Sequence, residues 1–153
     1  SIIDEEGNVL FDSYFKPIRH TDWWEAESVN GISPEMVADA PYINEKAAEL
    51  YAILSQAHWI IGYNVDFDLR FLMGSDIITD EEYNAFRTED VMIQFAEIYG
   101  EYSVYHEDYK WQKLTTAAAY YDYDWNVKGI EAHNSLADCF ATLFVYHKIL
   151  SEE

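Results

Sequence analysis

The chain has 153 residues, half of them apolar and 17% aromatic, which suits one ordinary domain with ample material for a single core. Its 29 acidic residues against 9 basic ones give a formal charge of −20, which excludes broad capture of a nucleic-acid backbone by a Lys/Arg stripe. No apolar stretch reaches membrane-span length, and the N-terminal residues do not read as a signal peptide. The one cysteine, Cys139, excludes an internal disulfide framework, so a reducing cytoplasm is the expected compartment.

In chain order, two β-type runs, Ile2-Ile3 and Val9 to Phe15, flank the turn formers Glu5-Glu6-Gly7-Asn8 and predict a hairpin that Lys16-Pro17 ends. Trp23-Trp24 read as loop. Ser33-Pro34-Glu35 has the order of an N-cap followed by Pro at the first helical position, which predicts a short helix ending before Pro41. Asn44 is placed to cap a longer helix through Ala57, with Ala48, Tyr51, Ala52 and Leu54 among its apolar positions. The run His58 to Tyr63 is the best candidate for a buried strand, and a helix from Asp66 to Met73 follows.

Thr79-Asp80-Glu81-Glu82 has capping-box spacing. Asp90 opens a helix that Gly100 closes, and Leu114 to Tyr121 is another. Ser135 caps a long last helix to Leu150, with Phe140, Leu143, Phe144, Tyr146 and Leu150 on its apolar face. Residues 101–109 give no clear element. Hairpin, helices, strand, then mostly helices make an α/β or α+β domain with a small mixed sheet, and the whole chain, 1–153, reads as a single domain.

Asp68 is wedged between Phe67 and Leu69, just past the apolar run, and burying a carboxylate is costly unless something pairs with it. Sheets of this class present ligand groups at strand ends. Asp138 falls in the first turn of the last helix, where backbone N–H groups favour an anion, and His133 enters that helix. Two aspartates from separate elements beside a histidine can hold a hard cation next to a general base. Each residue also has a plain reading: Asp138 as a first-turn acid, His133 as a loop residue, Asp68 as a cap for its own helix.

The local sequences carry more. "WIIGYNVDFDLRFL" (59–72) resembles the second motif of the DEDDh family of 3′–5′ exonucleases, the RNase H-like group that includes the proofreading subunit of bacterial DNA polymerase III. Tyr63 replaces that motif's usual His, while Asn64, Phe67 and Asp68 match. "HNSLAD" (133–138) is similar to the third motif, His-x-x-x-x-Asp. "VNGISPEMVADAP" (29–41) resembles the family's substrate loop, with Asn30 where His is common, followed by Gly31 and Ile32.

The resemblance implies an RNase H-like mixed sheet flanked by helices and a two-metal site for Mg²⁺ or Mn²⁺. Paired ions about 4 Å apart suit in-line displacement at phosphorus. Asp68 and Asp138 would be metal carboxylates and His133 the base for the attacking water. Asn30, Gly31, Ile32, Tyr63, Asn64 and Phe67 would meet the terminal nucleotide, and Asp66 would be a solvated neighbour. The implied substrate is the 3′ end of single-stranded DNA or RNA, with a polymerase or repair assembly as host.

The family's first motif, Asp-x-Glu-Thr-x-Gly, is absent. Asp4-Glu5-Glu6 has the closest spacing, but Gly-Asn follows, and these are turn residues. The chain therefore reads as N-terminally truncated within the domain. It would be a fragment, a truncated homologue completed by homodimerisation, or a non-catalytic pseudo-exonuclease that binds a nucleic-acid end or a protein. With half of the family's metal carboxylates missing, impaired activity is expected. A third reading is an acidic interaction protein without a nucleic-acid role, favoured by the −20 charge and 13 tyrosines.

Overall fold

The computed structural model describes residues 1–128 and 134–152. The predicted hairpin is present: β1 (Ile2–Ile3) pairs antiparallel with β2 (Val9–Phe11), with a register shift between Ile2 and Ile3. Asp4 organises its turn by accepting hydrogen bonds from the backbone N–H of Glu6 and Asn8 and from the Asn8 side chain. Gly7 supplies the left-handed residue, φ 84°.

Helix α1 (Trp24–Asn30) occupies a stretch that reads as loop in the sequence, because it buries little and shows no apolar stripe; Trp24 is 72% exposed. The Ser33-Pro34-Glu35 segment is a correction. Met36, Ala38 and Ala40 each donate to the carbonyl three residues back, so the segment forms successive tight turns rather than an α-helix. Next come a 3-10 turn, Ile43–Lys46, and helix α2 (Ala47–Gln56). Leu50 and Leu54 are its buried residues, while Ala48, Tyr51 and Ala52 face solvent. The inward stripe is thus rotated from the expected one and shares only Leu54 with it.

Strand β3 (Ile60–Gly62) leads into helix α3 (Val65–Gly74). It is only half buried, against expectation, with Ile61 38% exposed. The reason lies in its pairing: among the described residues β3 is hydrogen-bonded along one edge alone, to the parallel strand β4 (Thr88–Asp90). Between them helix α4 (Asp80–Ala85) has the predicted capping box, with Thr79 Oγ1 accepting from Glu82 N at 3.2 Å and Glu82 accepting from Thr79 N at 2.8 Å.

Asp90 opens α5 (Val91–Tyr99), and Gly100 closes it at φ 75°. The unassigned tract at 101–109 is a second hairpin, β5 (Tyr102–Ser103) with β6 (Asp108–Tyr109). Helices α6 (Leu114–Tyr120) and α7 (Ser135–Leu150) complete the described chain. The cap of α7 is Asn134, whose Oδ1 accepts from Leu136 N at 2.9 Å, and Ser135 is already helical. The apolar residues expected on its inner face lie beside the true stripe, Ala137, Ala141, Val145 and Ile149 at four-residue spacing; Leu150 is 47% exposed.

The fold is α/β, with strands in three two-stranded ladders among the described residues. Two apolar clusters support it. Phe11, Leu50, Leu54, Val65, Leu69, Ile77 and Ile78 join the first hairpin to α2 and α3. Val91, Phe95, Ala117, Val145 and Ile149 join α5, α6 and α7. The candidate site draws on α3, from the first cluster, and on the start of α7, a helix that packs against β1 of the first hairpin.

Candidate active site

Asp68 sits early in α3, one turn past Asn64. Asn64 holds a left-handed conformation, φ 67°, which Asn tolerates better than most residues and which turns the chain sharply from strand to helix. Its backbone N–H donates to Asp90 Oδ1 at 2.9 Å, and the same oxygen accepts from Met92 N at 3.0 Å. One carboxylate thus fixes both the turn after β3 and the first turn of α5.

Asp68 is exposed as a residue, yet its carboxyl is crowded on one side. Desolvation raises its pKa, and the nearby Asp90 charge pushes it up as well. Asp138 lies in the first turn of α7 and is half buried. Cys139, next to it, reports on the arrangement. Burial pushes its thiol up, and the charges of Asp138, Asp68 and Asp12 push it up as well. The charges of Asp68 and Asp138, 70 positions apart in the chain, thus both act on one thiol. Cys139 Sγ donates to the Ser1 carbonyl at 3.3 Å, which ties α7 to β1.

The other predicted residues fall into two groups. Phe67 stands beside Asp68 with its ring 64% exposed. Tyr63 does not reach outward: its hydroxyl donates to the Gln112 carbonyl at 2.9 Å, and burial followed by the Asp90 charge raises its pKa. Asn30 Oδ1 accepts from Ile32 N at 2.9 Å, Gly31 takes φ 71°, and the Ile32 carbonyl accepts from Trp23 Nε1 at 2.7 Å. Residues 30–32 thus form a self-braced turn at the end of α1. Asp66 faces solvent, bonded to Arg70 Nε at 2.7 Å and to the Tyr83 hydroxyl. His133 lies outside the described residues.

A family model described as Exonuclease, designated RNase_T, matches residues 1–146. The chain belongs to the exonuclease family. No curated protein matches it significantly. Membership implies a nuclease domain acting on nucleic acid, and exonuclease domains generally use divalent metal ions. The donor chemistry of this exonuclease chain suits such an ion in kind, since carboxylate oxygens are hard ligands. In number it is short: among the described residues no group of three His, Cys, Asp or Glu side chains could hold a metal.

Sequence reading missed two carboxylates that bear on this exonuclease site. Asp12 ends the first hairpin, accepts from Ser1 Oγ at 2.7 Å and acts on Cys139. Nothing local distinguishes it from any strand-end acid. Asp90 was expected only as a helix cap, and its second bond, to Asn64, depends on β3 and β4 lying side by side. No helix among the described residues is long and apolar enough to cross a membrane.

Proposed function

We propose that this chain is part of a DEDDh-type 3′–5′ exonuclease site that removes nucleotides from single-stranded nucleic-acid ends, with Asp68 and Asp138 as its metal carboxylates. The family match over residues 1–146, with Asp68 just past the strand-to-helix turn after β3 and Asp138 in the first turn of α7, is the observation that carries the reading. Bound Mg²⁺ or Mn²⁺ would activate water and stabilise the leaving oxygen. The chain's own residues do the remaining work. His133 takes the proton of the attacking water. Phe67 offers a ring face to the terminal base. The turn at Asn30, Gly31 and Ile32 receives the terminal sugar and phosphate, and the Asn64 turn sets the direction from which Asp68 approaches.

Two carboxylates alone are a weak metal site. Hydrolysis by the 153-residue chain by itself is therefore expected to be very slow or absent. Calorimetric titration with Mn²⁺ tests the half-site. Binding that disappears in Asp68→Asn/Asp138→Asn supports the reading, and binding that survives in that variant sinks it. One alternative is a pseudo-exonuclease that binds an end without cutting it, favoured by Asp4-Glu5-Glu6, the nearest spacing to the family's first motif, forming a hairpin turn in which Asp4 accepts from Glu6 and Asn8. Brisk Mn²⁺-dependent mononucleotide release, abolished by Asp138→Ala, would rule that alternative out together with the expected impairment.

A further inference from the structure

A second feature stands apart from the Asp68–Asp138 region. An open cleft of about 340 Å³ lies between the segment after the first hairpin and the tight turns that precede Pro41. Lys16, Arg19 and His20 line one side, and Trp23 and Tyr42 are among its aromatic lining. No Asp or Glu lines it, in a chain where 29 of 153 residues are acidic. Its cations are not used up in structural pairs. The ion pairs among the described residues are Lys46–Glu49, Arg70–Asp66 and Lys110–Glu101, and the Lys16 ammonium donates only to the Ala38 carbonyl, at 3.0 Å.

The cleft is also braced. Lys16 N donates to the Pro41 carbonyl at 2.9 Å, joining its two sides at one end. Trp23 Nε1 donates to the Ile32 carbonyl at 2.7 Å, joining the cleft to the turn at residues 30–32. A cationic, carboxylate-free channel with aromatic faces is the chemistry that binds a single strand: charge follows the phosphates and rings stack on bases. The strongly acidic remainder of the surface repels a polyanion, which leaves this cleft as a cationic path for the strand beyond its terminal nucleotide.

We propose that this cleft carries the backbone of single-stranded nucleic acid, with Lys16 and Arg19 against successive phosphates and Trp23 or Tyr42 against a base. Trp23 places the cleft next to the turn assigned above to the terminal nucleotide. The nucleotides bound here are then those further into the strand. Only this last point, the direction of the strand, rests on the exonuclease reading; the cleft's affinity for a strand does not.

The test is fluorescence anisotropy of a labelled single-stranded oligothymidylate with the full chain, in EDTA, over a range of salt concentrations. The Lys16→Gln/Arg19→Gln variant should bind about tenfold more weakly. Its salt slope should fall by about 1.4, the loss of two phosphate contacts at ~0.7 each. Arg19→Gln alone should lose about half of that slope change, and Arg19→Lys should restore it. Lys46→Gln, which removes a cation paired elsewhere, should leave both quantities unchanged. Wild-type chain that does not bind, or a double variant with unchanged affinity and slope, would overturn the proposal. So would displacement of the strand by equimolar pyrophosphate or by a polyglutamate peptide, which would show a free-anion pocket or an acidic-peptide site. Failure of the exonuclease reading would appear instead in the Mn²⁺ titration, which does not involve Lys16 or Arg19.

Discussion

Helices α3 and α7 both bring a candidate metal carboxylate to the site, but they spend their apolar residues in opposite ways. Along α7, Ala137, Ala141, Val145 and Ile149 are all buried, and Val145 is fully so. Along α3, Val65 and Leu69 are buried while Phe67 and Phe71 stand 64% and 60% exposed. Leaving two phenyl rings in water forgoes stabilisation that burial would give. The difference teaches that α7 anchors its aspartate through the core, whereas α3 keeps one face in reserve beside its own.

The contrast can be broken by making the same chemical change in both places. Phe95 is fully buried against the α7 cluster, with Tyr120, Tyr99 and Tyr121 ring centroids 5.4, 5.7 and 6.0 Å away. Phe95→Ala should cost about 3–5 kcal/mol in urea unfolding. Phe67→Ala should hardly change folding but should weaken oligonucleotide binding by about 1–3 kcal/mol, the loss of one stacked base. Unchanged binding would return the exposed ring to ordinary surface. Asn134→Ala, which removes the α7 cap, should cost about 1 kcal/mol and lower the melting temperature. Phe71→Ala, the outer counterpart of Phe95→Ala, should stay within about 0.5 kcal/mol. A larger loss would mean that the face is covered in solution.

The smallest expected effect is one of pH. Hydrogen bonds from Asn8, first its side chain and then its backbone, hold the Asp4 carboxyl below the ordinary carboxylate range. A carboxyl whose folded pKa is depressed stabilises the fold above its unfolded pKa, near 3.9, and that stabilisation is lost as pH falls through the folded value. Wild type should therefore lose slightly more stability than Asn8→Ala between about pH 5 and pH 3. Equal losses in urea midpoints would show that the turn contributes nothing to the acid response.

Much of the fold was legible because its signals are local. The turn at Asp4 to Asn8, the Thr79–Glu82 box and the Asp90 and Gly100 helix ends each rest on residues within a few positions of one another. What failed depends on distant partners. The exposure of β3 follows from which edges are paired, and α1 has no apolar period to reveal it. Asp68 stands out in the sequence by its motif, but that its charge acts on one thiol together with those of Asp138 and Asp12 depends on the tertiary fold. The basic cleft was missed for a related reason. Asp22, Glu25 and Asp39 dilute the local charge along the chain, so no cationic cluster stands out there in the sequence. Folding ties Lys110 to Glu101 at 2.7 Å and leaves the segment from Lys16 to His20 as the concentrated one.

Asp90 Oδ1 serves two backbone donors at once, Asn64 N and Met92 N. Movement of that one carboxylate releases both donors, so the turn that aims Asp68 and the first turn of α5 loosen together whenever Asp90 swings away. In hydrogen exchange the two amides should behave as a pair, and Asp90→Ala should speed both. A strand end that settles against Asn64 would then be felt as slower exchange at Met92, in the first turn of α5.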